Sequence, residues 1–240
     1  MAKNYQYVVK KQASDLDKAC NYLKNALGDA PWLHELSVAA TTIRNQCKGD
    51  DWSVNIRDLD IPMDAPKHLI PKSLTGKLKM FVSIKMEGNG KLWNDNEDCV
   101  KSLNFKVVIK EKNPQDPQKD FHMGFHIDKM DSSDDSDEMH PLYHVHFINE
   151  SKIYGTEALS MDVPRLTHHP VDVFLGILLV FANYNLIGYK KLLKDGNFIG
   201  LCKVSAKHIL EPYYRSLLKV SYQEGTLSEY DKALCPYLVP

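Results

Sequence analysis

Apolar residues recur along this chain at two different periods, and the period changes twice. From Ser14 onward, Leu16, Cys20, Leu23 and Leu27 fall three or four apart. That spacing puts side chains on one face of a helix. Ser14 and Asp15 are candidate caps. Gly28 and Asp29 break the pattern, and Pro31 is suited to open a second helix. This second helix would carry Leu33, Leu36, Ala40, Ile43 and Cys47 on one face and end at Gly49.

The middle of the chain alternates instead. Val54 and Ile56 have polar neighbours, and Pro62, Pro66 and Pro71 then punctuate an irregular connection. Met80, Val82, Ile84 and Met86 predict a strand, and Gly88-Asn89-Gly90 a turn. Leu103, Phe105, Val107 and Ile109 predict the next strand, followed by a loop from Asn113 to Asp120. In FHMGFHID, Phe121, Met123, Phe125 and Ile127 share one face, and His122, Gly124, His126 and Asp128 the other. In LYHVHFI, Tyr143, Val145 and Phe147 oppose Leu142, His144, His146 and Ile148. The acidic, serine-rich run DKMDSSDDSDEM between them reads as a solvated loop. It lacks the central glycine and closing glutamate of an EF-hand.

The last third turns helical again. Pro170 is placed to be a first helical residue, with Asp172 in the first turn. The apolar run from Phe174 to Phe181 wraps most of that helix, as expected of one buried between layers. A further helix is expected from Ser205 through Tyr222, bent or interrupted at Pro212, before an extended CPYLVP tail. The order of elements predicts an α+β fold: an antiparallel β-meander packed against a buried helix, with N-terminal and C-terminal helices. The expected organisation is one principal domain over 1–240. Within it, 1–60 is a helical subregion separable at Pro62 to Pro71, 77–184 the sheet and buried-helix core, and 185–240 the C-terminal helices.

Composition narrows the class without naming an activity. Over 240 residues, 30 Lys and Arg balance 31 Asp and Glu, a formal net charge of −1. Neither a basic excess for nucleic acid nor an acidic solvating chain is indicated globally. The 43% hydrophobic and 25% charged content is that of an ordinary globular protein. The N-terminal residues lack the apolar run of a secretory signal. The most apolar stretch, Val171 to Ile187, is short for a membrane span and interrupted by Asp172, Gly176, Asn183 and Asn185. The five cysteines are odd in number, widely spaced and without a CxxC pair. This fits reduced thiols and predicts a cytoplasmic protein without membrane attachment.

Seven of the ten histidines lie between His122 and His169. Strand periodicity puts His144 and His146 on one face, and His122, His126 and Asp128 on one face. A hairpin would merge the two rows. Such a cluster suits a divalent zinc, manganese or iron, whose bound water would titrate near ~7. The alternatives are a solvated histidine face paired with Asp128 and Glu138, and a catalytic or ligand site without metal that uses His140, His144 or His146. Arg165, His168 and His169 precede the helix at Pro170, where an arginine, imidazoles and the first amides can bind a phosphate or carboxylate. Walker and GxSxG signatures are missing, and nothing local activates Cys99. The C-terminal helices are locally basic through Lys190, Lys191, Lys194, Lys203, Lys207, Arg215 and Lys219, interleaved with Tyr213, Tyr214 and Tyr222. A solvated amphipathic face or a surface for nucleic acid or an acidic partner follows from that pattern.

The run HPLYHVHF, then PRL from Pro164 and HPVDVFLGILLVF from His169, resembles a layout found in uncharacterised bacterial families of mobile-element and phage-defence gene clusters. The resemblance covers Phe121 to Tyr184, about a quarter of the chain. It implies a bacterial cytosolic protein working with protein partners from the same gene cluster, and it carries over no catalytic residue. A fainter likeness is to ubiquitin-conjugating-like scaffolds, with His140-Pro141 as the His-Pro segment but no cysteine between Cys99 and Cys202. The expected function is an interaction or regulatory subunit without catalysis of its own. The alternative is a metal-dependent hydrolase acting on a phosphodiester, with His122, His126, Asp128, His144 and His146 as ligands or bases and Arg165 neutralising phosphate charge.

Overall fold

A computed structural model describes residues 5–46, 51–64, 78–94, 97–113, 120–129, 141–148 and 166–221. The chain opens with α1 (Tyr5–Leu27) and α2 (Pro31–Gln46), then enters β1 (Asp51–Ile61) and β2 (Lys79–Asn89). A short α3 (Gly90–Asn94) leads to β3 (Val100–Lys112), β4 (Asp120–Lys129), β5 (Tyr143–Phe147) and a two-residue β6 (Leu166–Thr167). Helices α4 (Val173–Tyr184), α5 (Leu186–Lys194) and α6 (Gly196–Ser221) follow. The strands form one sheet in the order β1-β2-β3-β4-β5-β6, with every neighbouring pair antiparallel. The expected α+β meander with flanking helices is what the chain adopts.

Alternation explains the layering. Val54, Ile56, Leu59 and Ile61 on β1, Met80, Val82, Ile84 and Met86 on β2, and Leu103, Phe105, Val107 and Ile109 on β3 are all buried. They form one face and meet the helices in a common core. Leu16 and Leu23 of α1, Leu36 and Ile43 of α2, Phe174, Ile177 and Phe181 of α4, and Phe198, Ile209 and Tyr213 of α6 belong to that core. The interruption after Ile56 is a bulge, because Ile56 pairs with Ile84 but Leu59 with Val82. Arg57 and Asp58 together oppose Ser83, which restores the inward phase at Leu59. Asp58 takes the left-handed conformation, φ 51°, tolerated by aspartate better than by most side chains. Its amide donates to Ser83 Oγ at 3.0 Å, and its carboxylate accepts from that hydroxyl at 3.2 Å.

Several boundaries differ from the sequence reading. Gly88 and Asn89 complete β2 and Gly90 opens α3, so the expected turn is a strand end running into a helix. Helix α4 begins at Val173 rather than Pro170, because Asp172 is its cap: Asp172 Oδ1 accepts from the amides of Phe174 and Leu175 at 3.1 and 3.0 Å. Helix α6 begins at Gly196, where Asp195 Oδ1 accepts from Asn197 and Phe198. It runs through Pro212 unbroken. Proline cannot donate to the carbonyl four residues back. That carbonyl belongs to His208 and accepts instead from the Cys99 thiol at 3.9 Å. Gly176 lets α4 approach β3: a Cβ there would lie 2.4 Å from the Phe105 ring. The expectations placed on Pro66, Pro71, the 130–140 run, Tyr222 and the CPYLVP tail lie outside the described residues.

Candidate functional site

The register of β4 and β5 brings the histidines together as their spacing predicts. His126 pairs with His146 and Asp128 with His144, so both polar rows share the sheet face turned away from the helices. The His126 and His146 rings meet edge to face, centroids 4.9 Å apart. His126 Nε2 lies 3.1 Å from Asp128 Oδ2, and Asn104 donates to Asp128 Oδ1 at 2.7 Å. His122 projects from the same face, opposite Lys110. Among the described residues, however, no three His, Cys, Asp or Glu side chains are placed to hold a metal ion. His140 and Arg165 lie outside the described residues.

Two residues of β5 depart from the burial that alternation alone implies. Phe147 lies on the helix side by parity but is 44% exposed. His144 lies on the outward side but is only 5% exposed. Its neighbour across the sheet is Thr167 of β6, a strand absent from the sequence reading, and its Nδ1 lies 3.1 Å from the Pro141 carbonyl. His144 is thus a packed residue, whereas His146 is half-buried.

His168 and His169 stack with centroids 4.3 Å apart, ahead of the α4 cap. Desolvation of the His169 ring, with His168 beside it, lowers its pKa from the ordinary histidine value. The amides of Phe174 and Leu175 already bond to Asp172, so they are not open to an anion bound by these histidines. Burial raises the Asp172 carboxyl above its usual range, partly offset by bonds from the Ser205 hydroxyl and those amides. Asp172 therefore ties the start of α4 to α6, and it is enclosed by the fold rather than offered to a ligand.

Among the described residues, the thiols of Cys20, Cys99 and Cys202 are not poised as nucleophiles. Burial pushes Cys20 up to about 11, and Cys99 and Cys202 up to about 12. A thiol so raised holds almost no thiolate at neutral pH.

One buried polar cluster escaped the sequence reading. Tyr143 donates to Asp98 Oδ2 at 2.6 Å, and Lys129 Nζ donates to the same oxygen at 2.9 Å and to the Val100 carbonyl. Asp98 Oδ1 accepts from the Val100 amide at 3.2 Å. Tyr143 packs edge-on against Tyr213 of α6, centroids 5.1 Å apart. Burial, with Asp98 adding to it, drives the Tyr143 hydroxyl far above its ordinary pKa, so it remains a donor. The cluster joins the start of β3, the end of β4, the start of β5 and α6. Its members are far apart in sequence, and no local spacing announces them.

The outward side of α5 is the most unusual surface. Gly188 and Leu192 face the core. On the opposite side Leu186, Ile187 and Leu193 are 52%, 66% and 49% exposed. Lys190, Lys191 and Lys194 stand among them, also exposed, with no acidic partner among the described residues. A solvated helix ordinarily turns such leucines and isoleucines inward. Among the described residues, no helix is long and apolar enough to cross a membrane. Compared with known protein families, curated proteins and solved structures, the chain matches none.

Proposed function

We propose that this chain is an interaction or regulatory subunit of a bacterial phage-defence or mobile-element system, without catalysis of its own. The observation that carries the reading is the α5 surface, where three exposed aliphatic side chains stand among three lysines with no acidic partner among the described residues. Its chemistry fits a protein partner that buries the aliphatic groups and brings carboxylates to the lysines. The raised thiols and the packed His144 support the non-catalytic part of the reading. The resemblance of Phe121 to Tyr184 to families of mobile-element and phage-defence clusters supplies the setting. Co-expression with the products of neighbouring genes tests it. The chain is expected to co-purify with one of them, and Ile187→Glu with Leu193→Glu is expected to abolish the complex. A chain that stays alone while turning over a substrate would sink the reading.

A second reading, a metal-dependent hydrolase, draws on the convergence of His126, Asp128 and His146. Elemental analysis of protein purified without an affinity tag tests it. Stoichiometric zinc, manganese or iron would favour it. Absence of metal, with an unchanged melting temperature on adding these ions, would retire it.

A further inference from the structure

The sheet face turned away from the helices carries a lane that neither reading above uses. Phe81 of β2 pairs with Val108 of β3, Val108 with Gly124 of β4, and the Ile148 amide donates to the Gly124 carbonyl at 2.9 Å. The Ile148 side chain lies over Gly124, its Cδ1 3.0 Å from where a Cβ would stand. An aromatic and aliphatic strip therefore crosses the sheet in register. Neighbouring strands lie about 4.8 Å apart, so the strip is roughly 14 Å long.

Cationic and imidazole side chains flank it. On one side the register sets Ser83 beside Lys106, Lys106 beside His126, and His126 beside His146. On the other it sets Lys110 beside His122, and the Lys110 ammonium stands over the Phe81 ring, 4.7 Å from its centroid. The bulge of β1 adds Arg57, completing an open cleft of about 440 Å³ lined by Arg57, Asp58, Phe81, Ser83, Lys106, Val108 and Lys110. Asp58 is the one carboxylate in that lining, and it is bonded to Ser83. Among the described residues, Arg57, Lys106 and Lys110 have no acidic partner.

We infer that this face binds single-stranded nucleic acid. Bases lie along the Phe81–Val108–Gly124–Ile148 strip, and phosphates meet Arg57, Lys106 and Lys110. An apolar strip between cationic rows matches a single strand, which exposes base faces and backbone charge together. A duplex hides its base faces, and an acidic segment without aromatic residues has no flat ring to set against Phe81. The inference is independent of any partner at α5, because the test uses the purified chain alone.

The experiment is a fluorescence anisotropy titration of the full chain with labelled oligouridylate and oligothymidylate over a series of salt concentrations. Binding is expected to weaken as salt rises. Arg57→Gln and Lys106→Gln are each expected to reduce the salt slope by about one. Phe81→Ala is expected to weaken binding about tenfold at an unchanged slope. Lys190→Glu with Lys194→Glu on α5 is expected to leave binding intact. Thermal melts verify that each variant is folded, and Lys110→Gln substitutes for any that is not. The inference is overturned by no binding at low salt, by equal binding of a duplex or of an acidic peptide, or by loss with the α5 variant but not the sheet variants.

Discussion

The two halves of the sheet obey the same alternation and meet different surroundings. Over β1, β2 and β3 the inward row is sealed beneath helices, from Ile61 at one edge to Phe105 at the centre. Over β4 and β5 the inward row continues through Met123, Phe125, Ile127, Tyr143, Val145 and Phe147. Of these six only Ile127 and Tyr143 are buried, Tyr143 against Tyr213 of α6, while Met123 is 51% exposed. The outward side reverses too, since His144 is enclosed where Lys85 and Lys110 are open. Alternation decides which side a side chain takes, and whatever packs above that side decides whether water reaches it.

The sharpest way to break this contrast is to truncate one aromatic ring in each half. Phe105→Ala is expected to cost about 3–5 kcal/mol, because its ring is enclosed and α4 has packed Gly176 directly against it. Phe147→Ala is expected to cost less than about 1 kcal/mol. Urea unfolding curves of both variants check the pair, and similar losses would mean that the two halves are equally sealed.

Smaller effects sharpen the contrast. Tyr143→Phe removes the hydroxyl that donates to Asp98 and leaves the carboxylate with Lys129 and the Val100 amide. A loss of about 1–3 kcal/mol is expected, read by chemical denaturation at neutral pH. His144→Ala is expected to cost about 1 kcal/mol or more and His146→Ala less, in melts run side by side. Equal tolerance would put His144 back in solvent.

The smallest expected effect concerns pH. The Asp172 pKa is raised in the fold above the ordinary value of 3.8. The stability it contributes is therefore full below that value and declines as pH rises through the folded pKa. Asp172→Asn preserves a capping side chain and removes the titration. Melting temperatures measured from acid to neutral pH are expected to lack that decline in the variant. Identical pH profiles would contradict the assignment.

How far the sequence reaches can be seen at particular residues. The strand faces of Phe121 to Asp128 and of Tyr143 to Ile148 followed from period-two spacing, and so did the meeting of His126 with His146. Burial at His144 did not follow, because it depends on Thr167, a strand partner too short to show a period. Helix α4 starts three residues beyond Pro170, since Pro170 and Asp172 both suit a helix start and only the bonds to Asp172 Oδ1 decide between them. Pro212 was expected to disturb a helix whose freed carbonyl is taken up by Cys99, more than a hundred residues earlier. The Asp98, Lys129 and Tyr143 cluster had no signature because tertiary contact alone assembles it. The α5 lysines were legible as a basic run. The exposed Leu186, Ile187 and Leu193 beside them were not, since a sequence does not say which apolar residues a core leaves over.

The same contrast between sealed and open surfaces underlies the proposed role, and complex formation tests it most directly. The chain and its Ile187→Glu, Leu193→Glu variant, each co-expressed with the products of neighbouring genes, would be compared by size-exclusion chromatography. The account predicts a stable complex for the unaltered chain, and for the variant a free chain with an unchanged melting temperature. A complex that survives both substitutions, or an unaltered chain that remains alone and turns over a substrate, would contradict it.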